Sequence, residues 1–209
     1  MTFDRFRRPP GRQTNYIQSS TSGQHLNYSK LSSDSEINKE TIRRYFDILQ
    51  DTLIVERIPP YTDVPSARKA RQKDRFVFFD LGVRNALLNR HKAQLSREEI
   101  GSLFEQFIIL QCISYRYCFN PGWQIFTYLD AAGTEVDMIL ETDSTLVCVE
   151  VKSATKANRS MFRSLDSFSA LVKKPVKKYV VYCGPEAQKF EQGLVLPYTQ
   201  FLSQIVPKL

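Results

Sequence analysis

Four residues that could do chemistry together stand close in the chain: Glu135 and Asp137 in Gly-Thr-Glu-Val-Asp, and Glu150 and Lys152 in Val-Glu-Val-Lys-Ser. Both groups lie in runs of strand-forming residues, Thr134 to Leu140 (TEVDMIL) and Thr145 to Lys152 (TLVCVEVK), separated by the polar Glu141 to Ser144, so the pattern predicts a β-hairpin. If Leu140 faces Thr145, Asp137 sits opposite Cys148 and Glu135 opposite Glu150, which makes Asp137 and Glu150 diagonal neighbours on one side of the sheet. Lys152 follows Glu150 by two and shares that side, while Val147, Val149 and Val151 fill the other. One face is then dry and the other holds carboxylates and a lysine. Crowded carboxylates raise one another's pKa, a cost that a bound divalent cation removes, and Mg²⁺ takes oxygen ligands while keeping several waters. A cation there could activate a water and neutralise a scissile phosphate, with Lys152 holding that water or stabilising the pentacovalent charge. The competing reading is a hairpin face of ordinary solvated charges, and a slip of one residue would move Asp137 and Glu150 to opposite faces.

Elements before and after this hairpin must position it. Ser96, followed by Glu98 and Glu99, predicts a helix start, with acids in the first turn suiting the dipole. The helix is expected to run to about Tyr117, with Ile100, Leu103, Phe104, Phe107 and Leu110 as its main apolar stripe. Glu105 shares a neighbouring line with Ile108, Ile109 and Cys112, which holds its carboxylate near the core edge; a plain surface glutamate is the alternative. Trp123 to Leu129 reads as a strand, Ser160 to Val172 as a helix, Lys178 to Cys183 as a strand, and Tyr198 to Val206 as a closing helix after a short extended Gly193 to Pro197. The order α-β-β-β-α-β predicts an α/β fold in which a helical crossover makes the last two strands parallel, giving a mixed sheet flanked by helices. Phe76, Phe78, Phe104, Phe107, Val149 and Val151 are the expected core residues.

Toward the N-terminus the pattern changes. Residues 1–24 are rich in Arg, Ser, Thr, Gln and Gly and predict a flexible basic arm. Asn27 to Ser32 reads as a short helix, Asp34 to Asn38 as a turn, and Lys39 to Leu53 as an amphipathic helix with Ile42, Tyr45, Phe46, Leu49 and Leu53 on one side, which suggests a helix-turn-helix. Strand-like Leu53 to Pro59 and Asp74 to Phe79 bracket the basic loop Arg68, Lys69, Arg71 and Lys73 and complete a winged helix over 25–79, ahead of a larger domain over 80–209. Arg43 and Arg44 lie on the candidate recognition helix. Groove contact by that helix and phosphate contact by the loop is the nucleic-acid reading; a protein-protein spacer is the other.

The net charge of +7 favours a polyanionic partner, and a second basic cluster occurs at Lys173, Lys174, Lys177 and Lys178. No apolar stretch is long enough to span a membrane, and the N-terminus lacks the apolar core of a secretory signal, so the expected location is cytoplasmic. Cys112, Cys118, Cys148 and Cys183 show no C-x-x-C spacing and read as buried reduced thiols. Only His25 and His91 are present, which leaves little room for structural zinc or for Ser-His-Asp and Cys-His chemistry.

The aspartate followed by Glu-x-Lys resembles the PD-(D/E)XK nuclease superfamily, the restriction-endonuclease-like fold. Arg75-Phe-Val-Phe-Phe-Asp80-Leu-Gly82-Val-Arg-Asn-Ala-Leu-Leu88, then Gly101-Ser-Leu-Phe-Glu105-Gln-Phe, then the two strand motifs, extend the likeness to the uncharacterised nuclease-like domain found with a winged helix at the C-terminus of many prokaryotic AAA ATPases. The resemblance spans about Leu26 to Ile205. It implies that Glu105 is a helix-borne acid of the site, that Asp137 and Glu150 are metal ligands for Mg or Mn, and that Lys152 is the catalytic lysine. No G-x-x-x-x-G-K-[ST] loop occurs, so no nucleotide site is expected in this chain, which reads as a fragment or a stand-alone descendant of such an ATPase. Two functions stay open: a Mg-dependent endodeoxyribonuclease acting on DNA, and a non-catalytic DNA- or protein-binding module that works with an ATPase partner.

Overall fold

The computed structural model describes residues 22–65, 73–90, 92, 94–119 and 122–209. Arg68, Lys69, Arg71 and all but the last three residues of the expected arm lie outside the described residues. The chain divides into two compact units: the described part of Met1–Arg57 with Phe76–Gln94, and Ile58–Arg75 with Leu95–Leu209.

In the first unit, α1 (Tyr28–Ser35) begins at Asn27, whose side chain accepts the Lys30 N–H at 3.2 Å, and ends at Glu36 in a left-handed conformation, φ 59°. Asn38 then caps α2 (Lys39–Asp51) by accepting the Glu40 N–H at 2.8 Å. Asn favours both cap positions because its carbonyl satisfies an N–H that has no partner in the first turn. β1 (Val55–Ile58) and β2 (Arg75–Phe78) form a two-stranded sheet. Leu26, Leu31, Ile42, Phe46, Val55, Phe76 and Phe78 make one apolar cluster beneath the helices. Leu53 does not join it: the helix ends two residues earlier, Leu53 has φ 59°, and its side chain is exposed. Ser22 and Gly23, read as part of a loose arm, bond to β2: Ser22 Oγ accepts the Phe78 N–H, and the Gly23 N–H donates to the Phe76 carbonyl. α3 (Leu81–Leu87) starts at Asp80, whose carboxylate accepts the Val83 N–H at 2.7 Å.

The second unit is a mixed six-stranded sheet in the order β3-β4-β5-β6-β8-β7. Its strands are β3 (Gln124–Leu129), β4 (Glu135–Glu141), β5 (Leu146–Lys152), β6 (Val176–Tyr182), β7 (Gln188–Lys189) and β8 (Leu194–Pro197). β3, β4 and β5 are antiparallel, whereas β5–β6 and β6–β8 are parallel. The expected order α-β-β-β-α-β is therefore present, and β7 and β8 extend it. α4 (Arg97–Phe119) precedes β3, and a 3₁₀ turn (Arg159–Phe162) leads into α5 (Arg163–Ser169) between β5 and β6. Phe162, Leu165 and Phe168 from this crossover pack on Ile139, Leu146, Cys148 and Val180. Tyr198–Gln200 continues through a π turn (Phe201–Ile205) to a 3₁₀ turn (Val206–Lys208).

Two expectations about faces are corrected. β5 is buried from Leu146 through Val151, not dry on one side only. A strand third in a six-stranded sheet, paired in parallel on one flank, is covered on both faces. On α4 the buried positions are Gln106, Ile108, Ile109, Leu110, Cys112 and Ile113, the side next to Glu105, while Ile100 is exposed and Phe104 and Phe107 are half-buried against Tyr198.

Candidate active site

Where the β4–β5 ladder ends, the sheet ceases to be uniform. The ladder pairs Glu141 with Leu146, Leu140 with Val147, Ile139 with Cys148 and Met138 with Val149. This register differs from the expected one by two residues. A shift of two preserves the faces, and one further step brings Asp137 level with Glu150 instead of diagonal to it. On its other edge β4 has an extra residue: Phe126 pairs with Ile139 but Tyr128 pairs with Val136. The bulge falls at Asp137 and Met138, and a bulge re-aims side chains at the point where pairing is interrupted.

Asp137 uses its side chain where a carbonyl would otherwise serve, because Oδ2 accepts the Val151 N–H at 2.8 Å. Its own carbonyl accepts from Arg75 Nη1 at 3.3 Å. Arg75 Nη2 is ion-paired with Glu105 Oε1, which joins the helix-borne acid to the sheet. Glu150 is 7% exposed; its Oε1 meets Lys152 Nζ at 2.5 Å, and its Oε2 is enclosed with no hydrogen-bond partner. Gly101 of α4 faces the loop after β5, where a Cβ would meet Ser153 Oγ at 3.5 Å, an ordinary van der Waals contact.

The electrostatics reflect crowding. Burial first, and then the Glu105 and Glu150 charges, hold the Asp137 carboxyl well above its ordinary value against the pull of Arg75 and of the Val151 N–H. Burial likewise raises Glu150, helped by Glu105 and Glu135 and opposed by Lys152. Burial works against the Lys152 ammonium, yet Glu150, Asp137 and Glu105 together raise it; Arg75 is raised in the same manner by Glu105 and Asp137.

Glu105, Asp137, Glu150 and Lys152 are thus one cluster, and Glu135 acts on it electrostatically. Arg75 is the member that sequence reasoning missed. It was read only as part of the strand-like Asp74 to Phe79 and of the motif that carries the family likeness, with no role assigned, and the one available signal was a core-facing glutamate on α4 lacking a counter-charge. Among the described residues no group of three or more His, Cys, Asp or Glu is arranged to hold a metal ion. The cluster offers two carboxylates instead, Asp137 and Glu150. The partnerless Oε2 of Glu150 and the raised acids fit a cation that binds through one or two carboxylates and keeps its waters, as Mg²⁺ does.

The nucleic-acid candidates are dispersed. Arg43 is exposed on α2, paired with Glu40 at 3.0 Å and stacked 5.3 Å from the Tyr28 ring centre; Arg44 is exposed, and Lys73 is half-buried. In the second basic cluster, Lys174 pairs with Glu141 at 3.1 Å and Lys178 with Asp166 at 2.7 Å, leaving Lys173 and Lys177 on the surface. No helix among the described residues is long and apolar enough to cross a membrane. Cys112 and Cys148 are buried as expected, but Cys118 and Cys183 are exposed; all four are free.

Residues 100–201 match the model of a domain of unknown function, DUF4143, a domain found at the C-terminus of AAA ATPase-like proteins. Residues 12–94 match a second domain of unknown function, DUF8612. The chain is 21% identical over 155 residues to the uncharacterized protein MJ1637 of Methanocaldococcus jannaschii, a match covering 74% of this chain and 32% of that protein. The chain therefore spans about a third of the length of that relative.

Proposed function

We propose that the chain is a metal-dependent phosphodiesterase of the PD-(D/E)XK type that acts on DNA, built on a restriction-endonuclease-like core and preceded by a winged helix-turn-helix. The observation that carries this reading is the buried, partnerless Oε2 of Glu150 beside a carboxylate, Asp137, that is pinned by the Val151 N–H, with Lys152 on the same cluster. The order α4-β3-β4-β5-α5-β6, antiparallel and then parallel, supports the core. Asp137 and Glu150 would hold Mg²⁺ or Mn²⁺, which when bound supplies an activated water and neutralises phosphate charge. Lys152 would lie near the scissile phosphate and stabilise the charge that develops there. Glu105 balances Arg75 next to these groups. Arg43, Arg44 and the basic loop Arg68, Lys69, Arg71 and Lys73 would meet the DNA backbone.

The test is cleavage of duplex, single-stranded and branched DNA with Mg²⁺ or Mn²⁺. Asp137→Ala should abolish cleavage and weaken metal binding in calorimetry. Lys152→Ala should abolish cleavage with metal binding kept, because a residue acting on the transition state depresses the chemical step more than ground-state binding. The ion pairs Glu150–Lys152 and Arg75–Glu105 favour one other reading. A site that neutralises itself suits a module that binds DNA or an ATPase partner without cutting. Wild-type protein that neither binds metal nor cleaves would overturn the nuclease reading in favour of that alternative.

A further inference from the structure

We propose that Arg75 is a positioning residue of the acid cluster, clamping Glu105 of α4 to the Asp137 peptide, so that Glu105 acts through the guanidinium and not as a third metal ligand or a base. This rests on the metal-site reading above and deepens it. Arg75 is only 3% exposed, and a guanidinium is kept in such surroundings only where its donors find acceptors. Its two terminal nitrogens divide the work, Nη2 toward the Glu105 carboxylate and Nη1 toward the Asp137 carbonyl at 3.3 Å. Asp137 is thereby gripped at both ends, since Val151 holds Oδ2. The grip matters at this residue because the β4–β5 ladder has ended and the β3–β4 register shifts, so regular sheet hydrogen bonds do not fix the peptide.

The charges lead to the same assignment. Glu150 is matched by Lys152 and Glu105 by Arg75, which leaves Asp137 as the carboxylate of the trio without an ion pair of its own. A planar fork holds its donors in a fixed geometry, so it sets how a carboxylate and a carbonyl sit relative to each other; a lysine ammonium on a flexible stem can touch both but does not fix that orientation. Loss of Glu105 should therefore register as loss of Arg75 does.

The experiment compares full-length wild type with Arg75→Gln, Arg75→Lys, Glu105→Gln and the Arg75→Gln/Glu105→Gln double variant. In metal-free protein, hydrogen exchange at the Val151 amide should quicken roughly tenfold in each relative to the Val147 amide, which lies in the intact ladder. Calorimetric Mn²⁺ affinity should fall about 10- to 100-fold in Arg75→Gln and Glu105→Gln. The double variant should be no worse than the weaker single, because residues acting as a unit are not additive. If Arg75→Gln loses its cooperative thermal transition, Arg75→Lys decides: it keeps a counter-charge for Glu105 but loses the fork, and Val151 should still exchange faster. Wild-type exchange and affinity in a folded Arg75 variant would overturn the clamp, as would weakened Mn²⁺ binding in Glu105→Gln alone, which would make Glu105 a direct ligand. If wild type binds no Mn²⁺, the metal reading falls, and the exchange measurements alone decide the clamp.

Discussion

Cys112 lies inside α4, where burial pushes its thiol up to about 12, and burial also raises Cys148 on β5. Cys118 and Cys183 lie at the surface, Cys183 with a thiol that its partial burial raises. Since the thiolate is the reactive form, a disulfide reagent at pH 8 should modify Cys118 and Cys183 in the folded protein and all four only after denaturation, as thiol titration with mass mapping would show. Labelling of Cys112 before unfolding would mean that α4 is not packed as described. Asp137 offers a sharper test. Asp137→Asn keeps an oxygen for the Val151 N–H but removes a charge that burial and two neighbouring acids oppose, so the metal-free Tm should hold or rise. If Mn²⁺ binds as proposed, it should raise the Tm of wild type by binding only the folded state, and that rise should be absent in Asp137→Asn. At this scale Asp137, Glu150 and Lys152 were legible because they share one hairpin and a period of two. The register was off by two residues, which that period forgave. Arg75 was not legible, since its partners Glu105 and Asp137 are distant in sequence and no local pattern marks a long-range ion pair.

At the scale of elements, caps and turns were the clearest signals. Ser96 and Glu99 form a reciprocal capping box, with the Ser96 N–H donating to Glu99 Oε2 at 2.9 Å and Ser96 Oγ accepting the Glu99 N–H at 3.3 Å. Periodicity was a poorer guide along α4, because apolar residues surround most of that helix and the pattern does not say which side meets the sheet. The sheet takes the Ile108, Ile109 and Cys112 side, leaving Phe104 and Phe107 with ring contacts to Tyr198, 5.6 and 6.2 Å between centres. The energetic ranking follows from burial. Ile109→Ala should cost about 2 to 5 kcal/mol in denaturant unfolding, as expected for a cavity in a core that cannot collapse. Phe104→Ala, removing a ring that is only partly buried, should cost about 1 to 2 kcal/mol. The reverse order would restore the stripe that the sequence suggested. β7 escaped notice for a different reason: it is a two-residue strand paired only through Gln188 and Lys189, too short to carry an alternation.

For the whole molecule, the excess of positive charge counts toward DNA binding only where it is free to meet phosphate. Each phosphate contact releases counterions, so its loss lowers the slope of log K against log salt by about 0.9. Lys174 and Lys178 are poor candidates. Lys174 ties Glu141 and the Thr142 carbonyl to the turn before β6, and Lys178 links β6 to Asp166 of α5. Their replacement by alanine should cost about 1 kcal/mol of stability each and leave the slope unchanged. Lys173 and Lys177 are exposed, and their removal should cost little stability. The basic loop, with four cations at Arg68, Lys69, Arg71 and Lys73, is the segment whose composition best suits backbone contact. Alanine at all four should weaken duplex binding similarly for unrelated sequences and flatten the salt slope by as much as about 3 to 4, because phosphate contacts carry affinity without sequence information. Fluorescence anisotropy on two unrelated duplexes from 50 to 300 mM salt, roughly the range over which such contacts weaken by orders of magnitude, measures both quantities. Wild-type affinity with an unchanged slope would remove the loop from the DNA interface and leave Arg43 and Arg44 on α2 as the contacts to test. A lower affinity for only one of the two duplexes would mean instead that the loop reads base edges, as phosphate contacts cannot do.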